Sequence, residues 1–120
     1  MDKIQNPKSY DLEERTFLFA QKCKNFVKLL PRTVCNIEYC KQLIRSSGSV
    51  GANYIEANES LSKKDFYMRI KICRKESKES TYWLRLVDYS DIISEMRDIL
   101  IQESIELTKI FGAILEKNKK

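Results

Sequence analysis

The stretch from Phe66 to Val87 decides the fold, and it reads FYMRIKICRKESKESTYWLRLV. Apolar and small residues recur in it with 4-3-4-3-4-3 spacing, at Phe66, Ile70, Cys73, Ser77, Ser80, Leu84 and Val87. Residues at this spacing fall on one side of an α-helix and form a seam along which bundled helices pack. We therefore predict a helix from about Ser62 to Tyr89, with Ser62 as its N-cap residue.

Three further segments show helical periodicity of the same kind. They run from about Asp11 to Leu30, from about Asn36 to Ser60, and from about Ser94 to Lys117. The connections between them are short, so neighbouring helices should run antiparallel. We predict one all-α domain over residues 1–120, an antiparallel up-down-up-down four-helix bundle with a short lead at 1–10 and a frayed tail at 117–120.

The predicted core joins apolar residues of the second, third and fourth segments. We expect them to be buried together: Leu43, Ile44, Phe66, Ile70, Leu84, Leu100 and Leu107.

The middle of the second segment is unusual, because RSSGSVGAN at residues 45–53 contains two glycines. Each glycine inside a helix costs about 1 kcal/mol relative to alanine. A loop is the alternative, and Gly48 to Gly51 then matches the GXXG loop that clamps a nucleic-acid backbone. We favour an unbroken helix, because the seven-residue rows keep their phase across this stretch and small inward residues let another helix approach.

The composition excludes several classes of protein. Apolar residues make up 42% and charged residues 32% of the 120, which is typical of one globular domain. The chain has no histidine, which excludes Ser-His-Asp triads and His-ligated zinc. Paired carboxylates such as Glu103 and Glu106 lack the Glu-x-x-His motif of di-metal bundles. We expect no enzymatic activity, no catalytic residues, no metal, no cofactor and no small-molecule substrate.

The four cysteines, Cys23, Cys35, Cys40 and Cys73, form no CxxC pair. We expect reduced thiols that fill the core, with a metal or redox site as the alternative. Residues 1–7 have none of the apolar character of a signal peptide, and no apolar run approaches the roughly 18 residues of a membrane span. We expect a cytoplasmic protein without a membrane partner.

The net charge of +5 is concentrated in the third segment, where eight basic and four acidic residues between Ser62 and Ser90 give +4. Six cations and two interleaved tyrosines point outward there and are called the basic ridge: Lys64, Lys71, Arg74, Lys75, Lys78, Arg85, Tyr67 and Tyr82. The cations could neutralise phosphates and the phenol rings could stack on bases. The alternative is an ordinary solvated helix face.

A second apolar stripe lies on the other side of the same seam. We call it the Trp83 stripe, and it consists of Met68, Ile72, Trp83 and Leu86. A helix that is apolar on two sides needs two partners, and Trp and Met are enriched at interface centres. We predict a subunit interface here. The alternative is that Trp83 covers the edge of the core within one subunit.

Several runs of this chain resemble a known family of four-helix bundles, encoded in intervening sequences of 23S rRNA genes and often labelled ribosomal proteins. The runs are DLEERTFLFA (11–20), RSSGSVGANYIEA (45–57), SKKDFYMRIKICRKESKES (62–80) and TYWLRL (81–86). They also resemble the accessory variability determinant of diversity-generating retroelements. The resemblance covers about Tyr10 to Ile114 and implies a homopentameric barrel, a positive surface that binds RNA or DNA, and no enzymatic activity.

The resulting hypothesis is a non-catalytic oligomeric module that binds nucleic acid, RNA before DNA, through the basic ridge. The alternative is a protein-interaction scaffold or adaptor that has a protein partner and binds no nucleic acid directly.

Overall fold

The computed structural model describes the backbone of residues 7–119 and the side chains of residues 12–119. Residues 1–6 of the expected lead and Lys120 of the expected tail lie outside that range. The described chain forms four helices and one short 3₁₀ turn: α1 (Pro7–Val27), α2 (Val34–Asn58), α3 (Lys63–Leu86), the 3₁₀ turn (Asp91–Ile93) and α4 (Ser94–Lys117). The predicted all-α fold with four helices is therefore confirmed.

The order of the helices around the bundle follows their order along the chain. α2 packs against α1 and α3, α4 packs against α3 and α1, and α1 and α3 lie diagonally opposite each other. The start of α2 meets the end of α3, where the Asn36 side chain donates a hydrogen bond to the backbone of Asp88. Near the other end of this helix pair, the Asn53 side chain of α2 accepts a hydrogen bond from Arg69 of α3. Because α1 lies diagonally across the bundle, the side of α3 that points away from the core also faces away from α1.

The bounds of α1, α2 and α3 differ from the expected ones by one to four residues, whereas α4 begins and ends at the expected residues. α1 begins at Pro7 rather than about Asp11, because proline is well accommodated in the first turn of a helix. It ends at Val27, before the turn that leads to Pro31. The N-cap prediction at Ser62 is confirmed, since its side chain accepts a hydrogen bond from the backbone N–H of Asp65 at 3.0 Å.

Five of the seven predicted core residues are buried: Leu43, Ile70, Leu84, Leu100 and Leu107. Phe66 is half-buried and packs against this core. The prediction for Ile44 is wrong, because its side chain is 42% exposed. Ile44 follows Leu43 directly and so lies about 100° further round α2, at the outer edge beside α1.

The small-residue stretch of α2 is an unbroken helix, and the loop alternative with its GXXG clamp is excluded. No residue within 7–119 has a positive φ. Ser46 packs against α3, where its hydroxyl lies 2.8 Å from that of Ser80. A Cβ on Gly51 would lie 2.9 Å from Thr16 Oγ1, so the missing side chain is what allows α1 to approach α2.

None of the described helices is long and apolar enough to cross a lipid bilayer.

Candidate nucleic-acid interface

The six cations of the basic ridge are all exposed along α3. At 100° per residue, their positions lie on the side of α3 that turns toward α4 and away from the α2 contact. Tyr67 belongs to the same surface and is half-buried, with the ammonium of Lys71 5.8 Å from its ring centroid. The structure therefore brings together the ridge residues that the sequence pattern selects.

α4 completes this surface with small, uncharged residues. A groove of about 700 Å³ lies between the two helices and is lined by Lys71, Ile72, Arg74, Lys75, Lys78, Thr108 and Gly112. Gly112 provides room beside the arginine stem, because a Cβ there would lie 3.8 Å from Arg74 Cδ. None of the lining residues is acidic, so no carboxylate of the groove itself offsets its four cations.

The acidic residues in the middle of α3 lie on its opposite side, toward α2. Glu76 is buried, and Arg45 of α2 donates to it at 3.1 Å and to Glu79 at 2.6 Å. The hydrogen bond with Glu76 raises the pKa of Arg45 above its ordinary value. Lys75 reaches around to Glu76 at 3.9 Å. One cation of α2 and one of the ridge thus offset these two carboxylates, and the other five ridge cations keep their side of α3 positive.

The two tyrosines of the ridge differ in the ring surface that they present. Tyr82 is 55% exposed and meets Trp83 edge to face, with ring centroids 4.9 Å apart. Tyr67 is half-buried beneath Lys71. Of the two, Tyr82 is the better surface for stacking a base.

The Trp83 stripe is covered in its centre and exposed at its ends. Trp83 is half-buried against Tyr39 of α2, with ring centroids 5.9 Å apart, as in the alternative that it covers the core of its own subunit. Its indole N–H is buried and has no hydrogen-bond partner among the described residues. Met68 is 53% and Leu86 37% exposed, and Ile72 is half-buried. The subunit interface at this stripe stays a prediction.

The other candidate groups have structural roles. Cys23 and Cys73 are buried in the core, and desolvation raises the pKa of each thiol to about 12. Cys35 is exposed, so the expectation that all four thiols fill the core is wrong for it, because it lies in the solvated first turn of α2.

The paired carboxylates of α4 take part in an ion pair, because Glu103 accepts two hydrogen bonds from Arg15, at 2.8 and 3.0 Å. No group of three or more metal-ligating side chains occurs within the described part of the chain.

Sequence reasoning missed three residues that shape this surface. Arg45 holds the carboxylates of α3 away from the ridge, and Thr108 and Gly112 supply the α4 wall of the groove. The one available signal for α4 was a glycine within a helical pattern, which often indicates a close approach of another element.

Comparisons with known proteins give matches over most of the bundle. The family model described as 23S rRNA-intervening sequence protein matches residues 8–113. A crystal structure of a protein of unknown function from the S23 ribosomal protein family of Bacteroides thetaiotaomicron VPI-5482 is 30% identical, with a TM-score of 0.77. That match covers 91% of this chain and 98% of the other. No curated protein matches the chain. The resemblance to the retroelement determinant stays a prediction.

Proposed function

Because this chain belongs to the family of 23S rRNA-intervening sequence proteins, we propose that it is a non-catalytic protein of the cytoplasm that binds RNA through the basic ridge. The observation that carries the proposal is the separation of charge on α3. Its ridge cations are exposed beside an α4 wall without carboxylates, while Glu76 and Glu79 are held by Arg45 on the other side.

The dimensions of the ridge suit a nucleic-acid backbone. Lys64, Lys71, Lys78 and Arg85 are seven residues apart, which places them about 10 Å from one another along some 30 Å of helix. Exposed cations can displace the counterions of phosphates, and the free energy of this counterion release gives an affinity that does not depend on base sequence. We therefore propose binding that depends on RNA shape and charge rather than on a defined base sequence.

We also propose that the protein assembles into a homo-oligomer, a pentamer by its family resemblance. One subunit offers a short patch of cations, whereas symmetry repeats the patch and linked sites gain avidity without a new contact. The Trp83 stripe is the interface that the sequence predicts. Met68→Glu tests it, because Met68 is 53% exposed and a loss of assembled mass would not come from a disrupted core.

The RNA proposal is tested by the salt dependence of binding. Fluorescence anisotropy with a labelled structured RNA, across 50–300 mM salt, gives the slope of log K against log salt. We expect Lys71→Glu with Lys78→Glu to lower the magnitude of the slope by about two for a duplex and somewhat less for single strands. Binding should weaken for every RNA tested, since the lost contacts go to phosphates.

The matched control is Lys22→Glu with Lys24→Glu, which makes the same change in net charge on exposed residues of α1, across the bundle from α3. The control should keep most of the parent's affinity. Equal losses in both variants would mean that only net charge matters. An absence of salt-sensitive binding by the parent would replace RNA binding with the scaffold or adaptor function.

A further inference from the structure

An apolar groove with a basic rim lies between the end of α1 and the start of α2. Its volume is about 490 Å³, and its floor includes Val27, Leu30, Ile37, Cys40 and Ile44. Ile37 and Ile44 are 39% and 42% exposed. No acidic residue lines the groove, and three cations do: Lys28, Arg32 and Lys41. We call this feature the isoleucine groove.

The 3₁₀ turn and the first turns of α4 together form an exposed surface that is also apolar but carries negative charge. Ile92 of the turn is 89% exposed, and Met96 and Ile99, which are three residues apart and so neighbours on one side of α4, are 41% and 57% exposed. An exposed acidic row runs beside them, each member one residue earlier: Asp91, Glu95 and Asp98. We call these six residues the acidic stripe.

The two surfaces have opposite charges around apolar centres. Ile37 and Ile44 are seven residues apart on α2 and span about 10 Å of that helix, whereas Met96 and Ile99 share one side of α4 and Ile92 extends the apolar surface into the 3₁₀ turn. Three cations border one apolar centre and three carboxylates border the other. Opposite charges around an apolar contact set the register and the choice of partner.

The two surfaces lie on different sides of α1 within one chain. Ile99 lines the groove between α1 and α4, together with Leu18 and Phe19. The isoleucine groove lies on the α2 side of α1. We propose that the acidic stripe of one copy docks into the isoleucine groove of a second copy. This inference rests on the oligomeric part of the proposed function, gives that assembly a different interface from the Trp83 stripe, and is independent of RNA binding.

The proposed contact joins two different surfaces, so it is heterologous rather than two-fold symmetric. Each copy keeps one free groove and one free stripe after the first contact, and the contacts continue until they close a ring or extend a filament. Such an interface can be blocked by a change in the groove or by a change in the stripe. A copy in which only the groove is blocked should still bind a copy in which only the stripe is blocked.

The test uses one blocking variant for each surface, measured by light scattering after size-exclusion chromatography. Ile44→Asp blocks the groove, and Ile92→Asp blocks the stripe. Both side chains are exposed, so circular dichroism and thermal melting should match the parent. We expect each variant alone to be monomeric at concentrations where the parent is assembled. Mixed together, they should form a heterodimer, because one supplies an intact stripe and the other an intact groove.

A charge exchange tests the proposed register. Lys41→Glu and Glu95→Lys should each weaken assembly about ten-fold or more, since each places like charges opposite one another. The two changes in one chain should restore much of the assembly. Lys24→Glu, on the exposed surface of α1 outside the groove, is the control and should assemble as the parent does.

Several outcomes would overturn the inference. They are a monomeric parent, an assembly that survives Ile44→Asp or Ile92→Asp, and blocked variants that do not combine. Loss of assembly by Met68→Glu but not by Ile44→Asp would assign the contact to the Trp83 stripe instead. The ridge variants Lys71→Glu and Lys78→Glu should keep the parent's mass, so failure of this contact and failure of RNA binding are read separately.

Discussion

Asn36 and Asp88 exchange two hydrogen bonds although 52 positions separate them in the chain. The Asn36 amide donates to the carbonyl oxygen of Asp88 at 2.9 Å, and its oxygen accepts from the Asp88 N–H at 2.9 Å. The same amide donates to the carbonyl of Pro31 at 2.9 Å. A single buried side chain thus ties the connection before α2 to the residues that follow α3.

We predict that Asn36→Ala lowers the free energy of unfolding by about 2–3 kcal/mol, because it removes three hydrogen bonds that a buried side chain makes to the backbone. Asn36→Asp should also be destabilising, since a carboxylate cannot donate to either carbonyl. Urea unfolding measures both. Asn25→Ala, at an exposed position of α1, is the matched control and should change stability by less than about 0.5 kcal/mol.

The two glycines of α2 should respond in opposite ways to alanine. Nothing lies within 4 Å of a Cβ on Gly48, so Gly48→Ala should stabilise the protein by about 1 kcal/mol through helix propensity. A Cβ on Gly51 would lie 2.9 Å from Thr16 Oγ1, and buried Thr16 is fixed by its bond to the Leu12 carbonyl.

Gly51→Ala should therefore be less stable than Gly48→Ala by about 1–3 kcal/mol, the usual cost of overpacking. Thermal melts of the two single variants give this difference directly, since both gain the same propensity. Thr16→Ala combined with Gly51→Ala should recover part of the loss. Equal stability of Gly48→Ala and Gly51→Ala would show that α1 does not need the close approach.

We predict that the two buried thiols make the bundle sensitive to alkali. Burial raises the pKa of Cys23 and Cys73 from 9.0 to about 12 in the folded state. Between these values the unfolded chain releases protons that the folded chain keeps, so stability falls as pH rises. Each thiol contributes a slope of about 1.4 kcal/mol per pH unit, and the stabilisation is fully present only below pH 9.

Urea unfolding at pH 8, 9, 10 and 11 measures this slope. Cys73→Ala should flatten the slope by the share of one thiol, whereas Val34→Ala, a change without a titratable group at an exposed position of α2, should leave it unchanged. A slope in Cys73→Ala equal to that of the parent would contradict the assignment.

The indole N–H of Trp83 is buried and has no hydrogen-bond partner among the described residues. We predict that Trp83→Phe changes stability little or raises it, because the ring contacts with Tyr39 and Tyr82 remain and an unsatisfied donor disappears. Trp83→Ala should cost about 3 kcal/mol by opening a cavity. Denaturant unfolding of both variants separates the packing of the ring from the effect of the N–H group.

The helical seam of α3 could be predicted from the sequence because it depends on local spacing alone. Ile70, Cys73 and Leu84 are buried as the 4-3 pattern indicates. The position of the ridge followed from the same geometry, since residues seven apart return to one side of a helix. The unbroken course of α2 was predictable for that reason too.

Contacts distant in sequence could not be predicted in this way. The bonds between Asn36 and Asp88 join residues 52 apart, and no periodic pattern encodes such a pairing. The exposure of Ile44 depends on where the edge of α1 falls across α2. The role of Arg45 depends on which helix lies opposite Glu76. Predicting any of these three features requires the tertiary arrangement of the helices in addition to the periodicity of a single helix.

The connection between α2 and α3 has a practical consequence for engineering. It consists of residues 59–62; Leu61 is fully exposed, and no described residue of the chain has a positive φ. Its backbone is therefore sterically open to any L-amino acid, and surface connections of this kind accept inserted sequence. A fluorescent domain or an affinity peptide can be placed between Ser60 and Leu61, at the opposite end of the bundle from the hydrogen bonds between Asn36 and Asp88. Insertion there would turn the folded bundle into a reporter of its own location in the cell.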